Sequence, residues 1–219
     1  MKHPANLLQD AEALAQTGGW TKEVYADLLA IQHGELDLES FNQKYLITRA
    51  IFILDMTSFT ENTIHYGPVD SFLRILKVQQ VAIPVLRQYQ AQGIRTFADD
   101  ITATFDKPHL ALDAALAVMH AVDAFNASGQ AGQHPARACI GLGYGDVYCI
   151  GLDLAMGGEM NQASKLGEDT AKGGEILVTE RFYQEMQHEP GLRFEPRRTP
   201  DIPFGYYSVG VRDSAASHE

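Results

Sequence analysis

The hydrophobic pattern divides the chain into a helical beginning and a longer mixed region. Residues 5–17 repeat apolar side chains at helical spacing, and a pair of glycines then stops the helix. A second helix is predicted from the capping residue Thr21 to Gly34, and a short third helix over 38–45. The apolar stripes of these helices need a partner surface, either the rest of the chain or a second copy of it.

After residue 46 the pattern becomes one of strands alternating with helices. The apolar run 50–54 is typical of a buried strand, and the acid Asp55 follows it directly. Helices are predicted over 69–91, with a kink or a break at Pro84, and over 108–125, 158–171 and 180–187. Strands are predicted over 94–98 and 101–105, joined by an Asp99-Asp100 turn, over 137–142 and 147–150 as a second hairpin, and over 175–179 and 204–210.

This order of elements predicts the fold class. Two hairpins exclude a doubly wound parallel sheet, which needs a helix between every pair of strands. We predict an α+β fold of the split βαβ (ferredoxin-like) type, a mixed or antiparallel sheet with helices packed on one face. The predicted parts are an N-terminal helical extension over 1–45, a main domain over 46–212 and a flexible tail over 213–219.

Composition narrows the classes of function. Of 219 residues, 45% are hydrophobic and 21% are charged, as in soluble globular proteins. The net charge of −11 repels phosphate backbones, so we expect no nucleic-acid partner. The first residues lack the apolar core of a signal peptide, and no apolar run is expected to span a membrane. We therefore expect a cytoplasmic protein without membrane insertion.

The two cysteines are too few for a disulfide scaffold. Cys139 and Cys149 fall on the two strands of the predicted second hairpin, where they can face each other. Two buried free thiols and a redox pair both agree with this placement.

The acids Asp55 and Asp99 are the first candidate site. In a split βαβ fold the first strand lies beside the hairpin, so both carboxylates can emerge at the same edge of the sheet. Carboxylates that close repel each other unless a cation lies between them, and Mg²⁺ takes carboxylates, backbone carbonyls, water and phosphates. The pattern favours a metal site, although Asp99 alone also fits an ordinary hairpin turn.

Small polar residues follow Asp55 and lead toward a helix. Successive backbone N–H groups in this segment, residues 56–60, can cradle a triphosphate. An ordinary helix cap explains the same residues.

Three strings carry a more specific pattern when they are taken together. They are Leu54–Thr60 (LDMTSFT), Arg95–Asp99 (RTFAD) and Gly157–Lys165 (GGEMNQASK), and the last is followed by Gly174–Thr179 (GEILVT). In order and spacing, over residues 47–210, they resemble the motifs of the class III adenylate/guanylate (nucleotidyl) cyclase catalytic domain.

The resemblance implies a site shared between two chains. Asp55, Asp99 and Met56 would hold two Mg²⁺ or Mn²⁺ ions per site. A partner copy would supply Asn161 to orient the ribose and Lys165 to steady the transition state, so a homodimer is implied. The remaining implied contacts are Thr57, Ser58, Phe59, Thr60 and Arg198 to the triphosphate, and Arg95, Leu154 and Asp153 to the base.

Departures from the family motifs leave alternatives open. Lys165 replaces an arginine and lacks its planar fork, and Ala98 replaces a glycine, which is tolerable where φ is not positive. Arg95 and Leu154 match neither the adenine-reading nor the guanine-reading pair. The hypotheses are therefore a cyclase acting on ATP by default, a cyclase for GTP or a pyrimidine nucleotide, and a weakened nucleotide-binding or dimerisation module.

Overall fold

The computed structural model describes residues 7–57, 67–129, 135–150 and 155–211, which form seven helices and one sheet of eight strands. The helices are α1 (Ala11–Thr17), α2 (Lys22–His33), α3 (Leu38–Tyr45), α4 (Pro68–Gln88), α5 (Pro108–Ala127), α6 (Gly158–Asp169) and α7 (Glu180–Met186). The strands are β1 (Leu46–Met56), β2 (Gln92–Phe97), β3 (Asp100–Phe105), β4 (Ala138–Cys149), β5 (Ala155–Met156), β6 (Ile176–Thr179), β7 (Leu192–Arg197) and β8 (Tyr206–Val211).

The sheet is mixed and has β1 near its centre. Its order is β2-β3-β1-β4-β6-β8-β7, and β5 pairs with β4 beside this path. The β4–β6 pair is parallel, and the other described pairs are antiparallel. The predicted α+β class with a mixed sheet is confirmed.

Strand β1 is apolar almost throughout because both of its faces are covered. Phe52 and Leu54 pack in the cluster that includes α4 and α5, whereas Ile51 and Ile53 pack with Ala163 of α6. The expectation that helices cover one face only is therefore wrong, since α6 lies on the opposite face from α4 and α5.

The predicted second hairpin is also wrong, because β4 runs without a break through its three glycines. Gly141, Gly143 and Gly145 alternate along the strand and so point to one face. A Cβ at Gly141 would lie 2.2 Å from the carbonyl oxygen of Ala163 in α6. These glycines therefore admit a close helix instead of forming a turn.

The continuous strand separates the two cysteines. Cys139 and Cys149 lie ten residues apart on β4, which is about 33 Å along a strand. The expectation that they face each other is wrong, and the chain cannot join them in a disulfide. Both are free thiols, Cys139 buried and Cys149 half-buried.

Strand β7 was not predicted and forms an edge of the sheet. Leu192 and Phe194 pack toward the core, the charged side chains of Arg193, Glu195 and Arg197 occupy the alternate positions, and Pro196 lies in the same row as Phe194. An edge strand tolerates proline and charge because one side of its backbone has no strand partner.

The N-terminal helices pack on the end of β4. Thr21 caps α2 and Gly34 ends it in the left-handed conformation, as predicted. Helix α1 begins later than predicted, because the Asp10 carboxylate accepts hydrogen bonds from the first amides of a helix that starts at Ala11. The apolar faces of α2 and α3 find a partner in this chain, in a cluster that contains Val24, Phe41, Tyr45, Tyr148 and Ile150. The division at residues 45 and 46 into separate domains stays a prediction, and the predicted tail lies outside the described residues.

Helices α4 and α5 fill the other face of the sheet. Pro84 lies inside α4 without ending it. Helix α5 is, by length and composition, apolar enough to cross a membrane, which the sequence patterns did not lead us to expect. Its residues Ala111, Ala115 and Val118 are fully buried in the core cluster beneath the sheet, so in this fold it is a core helix.

Candidate metal and nucleotide site

Asp55 lies near the C-terminal end of β1, on the face that α6 covers. It is half-buried and stands opposite Cys139 of β4. The Cys139 thiol donates to the carbonyl of Gly167 at 3.3 Å and lies 3.9 Å from Oδ2 of Asp55. Asp55 is therefore held between the centre of the sheet and the C-terminal end of α6.

The β2–β3 hairpin turns one residue earlier than predicted. Phe97 pairs with Asp100, so Ala98 and Asp99 form the turn and Asp100 is the first residue of β3. Ala98 has φ of 49°, a left-handed conformation that costs an L-residue about 1–2 kcal/mol. Glycine, which the cyclase motif has at this position, would avoid this cost. Alanine was expected to be tolerable only where φ is not positive, and here φ is positive.

Three carboxylates meet at this edge of the sheet. Asp55, Asp99 and Asp100 each offer an oxygen, and these oxygens lie within 4.8 Å of one another. Asp100 was not among the predicted metal ligands, because the predicted turn included it. The pairing of β1 with β3 identifies Asp100. Leu54 pairs with Ile101, so the next step along this antiparallel ladder brings Asp55 beside Asp100.

Two of these acids, Asp55 and Asp100, have raised pKa values. Burial, followed by the negative charge of Glu168 and a hydrogen bond with Asp55, raises the pKa of Asp100 to about 7. Burial also raises the pKa of Asp55, and the charges of Asp99 and Asp169 add to this, whereas the hydrogen bond from protonated Asp100 opposes it. Without a cation, the cluster keeps a proton on Asp100 to near neutral pH.

The donor set fits a hard divalent cation. All three side chains supply oxygen, which suits Mg²⁺ and Mn²⁺. The Met56 side chain is only 5% exposed and packs in the core, so only the backbone of Met56 can serve a metal. Its amide donates to the Asp55 carboxylate and helps to orient it.

Helix α6 carries the two residues expected to act from the opposite copy. Asn161 is exposed, and Nζ of Lys165 lies 2.8 Å from Oδ2 of Asp169, one turn further along the helix. Among the described residues, Lys165 forms an ion pair with Asp169 and with none of the three clustered acids.

A cavity of about 350 Å³ lies beside the C-terminal half of α6. Three basic residues, Lys165, Lys172 and Arg197, line it, and we call it the basic cavity after them, although an equal number of acids makes its formal charge zero. Its other lining residues are Asp169, Thr170, Glu175, Leu177, Thr199, Asp201, Ile202 and Tyr206. Arg198, the predicted triphosphate ligand, is exposed and does not line it, whereas its neighbour Arg197 does.

No protein-family model matches the sequence, and no curated protein matches it. Solved structures do match along most of the chain. The adenylyl cyclase CyaB from P. aeruginosa is similar with a TM-score of 0.63 at 16% identity, over 80% of this chain and 98% of that one. An adenylate/guanylate cyclase/hydrolase from Silicibacter pomeroyi gives 0.63 at 21% identity, over 77% and 98%. The guanylate cyclase domain of RhGC from Catenaria anguillulae, in complex with GTP, gives 0.62 at 19%, over 76% and 97%.

The chain has the nucleotidyl cyclase fold. The resemblance found in the sequence is thereby confirmed at the level of the fold, and the acidic cluster and α6 can be placed within it. In this cyclase fold, Arg95 lies exposed on the edge strand β2, where it pairs with Thr102. The roles expected for Ser58, Phe59, Thr60, Asp153 and Leu154 fall on residues outside the described ranges.

Thr57 is the last described residue before one of these gaps. Its amide donates to the carbonyl of Arg137 at 3.0 Å, and its hydroxyl donates to Sγ of Cys139 at 3.6 Å. Because both groups already have partners inside the protein, Thr57 is a poor candidate for the phosphate cradle expected at the start of this segment.

Proposed function

We propose that the chain is a nucleotidyl cyclase catalytic domain. It converts a nucleoside triphosphate, ATP by default, into a 3′,5′-cyclic nucleotide and pyrophosphate. The observation that carries the proposal is the cluster of three half-buried carboxylates at the end of β1 in a cyclase fold. The GTP complex of the Catenaria domain supports a nucleoside triphosphate as the class of ligand.

The acidic cluster is the proposed site of two Mg²⁺ or Mn²⁺ ions. Asp55, Asp99 and Asp100 would hold them, together with the backbone of Met56. When bound, such ions supply activation of the ribose 3′-hydroxyl and neutralisation of phosphate charge. A protein with a net charge of −11 needs positive charge of this kind to accept a triphosphate.

The second half of the proposed site is α6 with the basic cavity. Asn161 would orient the ribose, and Lys165 would stabilise charge on the phosphates as the bond to the α-phosphorus forms. Arg197 and Lys172 line the same cavity and would contact the leaving pyrophosphate. Among the described residues, Lys165 pairs with Asp169 and not with the clustered acids, as expected for a homodimer in which each copy supplies one half.

One observation favours a second candidate, a nucleotide-binding or dimerisation module without catalysis. Lys165 stands in place of the forked arginine and is already paired with Asp169. Such a module would bind nucleotide or a partner and release no cyclic product.

One experiment separates these functions. The purified protein is incubated with ATP, GTP, CTP and UTP in equal amounts with Mn²⁺, and cyclic products are identified by mass spectrometry. A metal-dependent cyclic product, lost in Asp99→Asn, is the expected result, and its base identifies the substrate. Nucleotide binding without product indicates the module. A protein that binds no nucleotide, forms no dimer and releases no product would overturn both proposals.

A further inference from the structure

Glu159, in the first turn of α6, is a carboxylate buried to 5% exposure. Removing a carboxylate from water is costly unless hydrogen bonds replace the lost hydration. Neither the acidic cluster nor the basic cavity includes this side chain. Its burial therefore needs an explanation of its own.

The hydrogen bonds of Glu159 join three elements. Its Oε1 accepts from the backbone N–H of Tyr144 in β4 at 3.0 Å, and also from the hydroxyl of Thr179 at the end of β6. Tyr144 lies two residues beyond the last β4–β6 pair, so Glu159 takes the place of a strand partner there. The Thr179 hydroxyl in turn accepts from the amide of Phe182 and caps α7.

The surroundings of Glu159 are shaped for its side chain. A Cβ at Gly143 would lie 3.1 Å from Oε1 of Glu159, and a Cβ at Gly145 would lie 3.3 Å from its Cγ. The residue before α6, Gly157, offers no side chain to cap the helix. The carboxylate is therefore the main side-chain anchor of this helix end, where negative charge is also favoured.

Asn161 and Lys165 lie on the opposite side of α6 from this anchor. At about 100° per residue, Asn161 lies about 200° and Lys165 about 240° around the helix from Glu159. A helix that directs Glu159 into the sheet therefore directs Asn161 and Lys165 outward, on one side.

We propose that Glu159 is a positioning residue. Its bonds to Tyr144 and Thr179 fix the rotation of α6 that presents Asn161 and Lys165 to the nucleotide. The inference rests on the proposed cyclase function and adds to it a residue that the sequence motifs do not mark.

Two substitutions separate the geometry of the anchor from its charge. Glu159→Gln keeps the length of the side chain and an Oε1 acceptor for both bonds but removes the charge. Glu159→Asp keeps the charge but is one methylene too short to reach both donors. We expect Glu159→Gln to retain at least half of the wild-type kcat and Glu159→Asp to lose at least tenfold, with KM changed less than threefold in both. Glu185→Asp, at an exposed position on α7, is the matched control and should match the wild type.

A second measurement is independent of activity. Hydrogen exchange of the Tyr144 amide, followed by NMR, should be at least tenfold faster in Glu159→Asp and unchanged in Glu159→Gln. If the wild type is active and Glu159→Asp is fully active, the inference is overturned but the proposed function stands. The same holds if Glu159→Gln is inactive while its Tyr144 amide stays protected. A wild type without cyclic product overturns the proposed function, and unchanged exchange in Glu159→Asp then shows separately that the anchor is absent.

Discussion

The acidic cluster and the basic cavity handle their charges in opposite ways. In the part of the chain that the structure describes, no ion pair joins Asp55, Asp99 or Asp100 to a lysine or arginine. In the cavity, Lys165 is paired with Asp169, and Arg197 lies 4.0 Å from Glu175. The acids thus have no cationic partner among the described residues, whereas the bases have internal partners that an external anion can replace.

The interactions in the two halves therefore differ in free energy. Exposed ion pairs are worth about 0–1 kcal/mol, so phosphate oxygens can displace those of the cavity at little cost. The three half-buried acids repel one another when they are ionised, and either a proton on Asp100 or a bound ion lowers that cost. We therefore expect the acidic half to be intolerant of substitution and the basic half to be adjustable.

The largest expected effect is from Asp55→Asn. This change keeps the shape of the side chain but removes a charge that we propose binds metal, so kcat/KM should fall by about 10³-fold or more. The melting temperature without metal should stay equal or rise, because one repelling charge is gone. Steady-state kinetics and thermal melts test both points, with Asp113→Asn on the exposed side of α5 as the control. Loss of activity by less than tenfold would contradict the assignment of Asp55.

Next in size is the effect of changing Lys165. Lys165→Ala should lower kcat by about 10²-fold because a charge that stabilises the transition state is lost. Lys165→Arg should raise kcat several-fold, since a planar fork grips two phosphate oxygens. Single-turnover kinetics separate these changes from product release. If both variants match the wild type, Lys165 is a solvated helix lysine and has no role in the reaction.

The parts of the fold that the sequence predicted are those whose cause is local. Two-sided burial makes β1 a continuous apolar run, and that run made Asp55 conspicuous as the acid at its end. Thr21 caps the start of α2 and Gly34 caps its end, and both caps depend only on a few neighbouring residues. Such features do not need a distant partner to be recognised.

The parts that were missed depend on a partner far away in sequence. Gly143 looks like a turn residue until α6 lies against it, so β4 was divided in two. The turn at Ala98 was displaced by one residue, and this hid Asp100 from the acidic cluster. Strand β7 was not recognised, so no alternation was available to decide whether Arg197 or Arg198 faces the basic cavity.

Arg197 and Arg198 are neighbours, and they are expected to differ in whether they contact the triphosphate. Arg197 lines the cavity and its Nε donates to Oγ of Ser208 at 3.1 Å, whereas Arg198 is exposed outside it. Arg197→Ala should raise KM for the nucleoside triphosphate by about tenfold, the value of one charge-assisted hydrogen bond. Arg198→Ala is its matched control and should change KM less than twofold. If KM rises more in Arg198→Ala than in Arg197→Ala, then Arg198 is the triphosphate ligand.

The smallest expected effect is the pH dependence of stability through Asp100, whose pKa is raised from 3.8 to about 7 in the folded protein. The folded state favours the protonated carboxyl, so its stabilisation is fully present below about pH 4 and is lost as the pH rises through 7. Because this group is half-exposed and screened, we expect about 1 kcal/mol, or about 2–4 °C in Tm.

Thermal melts between pH 4 and 8 in the presence of EDTA measure this decline, and Asp100→Asn should flatten it. Saturating Mn²⁺ should reverse the trend, since the ion binds the deprotonated cluster and stabilises the fold more as the proton leaves. A metal-free wild type with the same pH dependence as Asp100→Asn would show that Asp100 is not coupled to folding. A wild type that shows the decline but does not respond to Mn²⁺ would show that the acidic half is neutralised by its own proton and not by a bound ion.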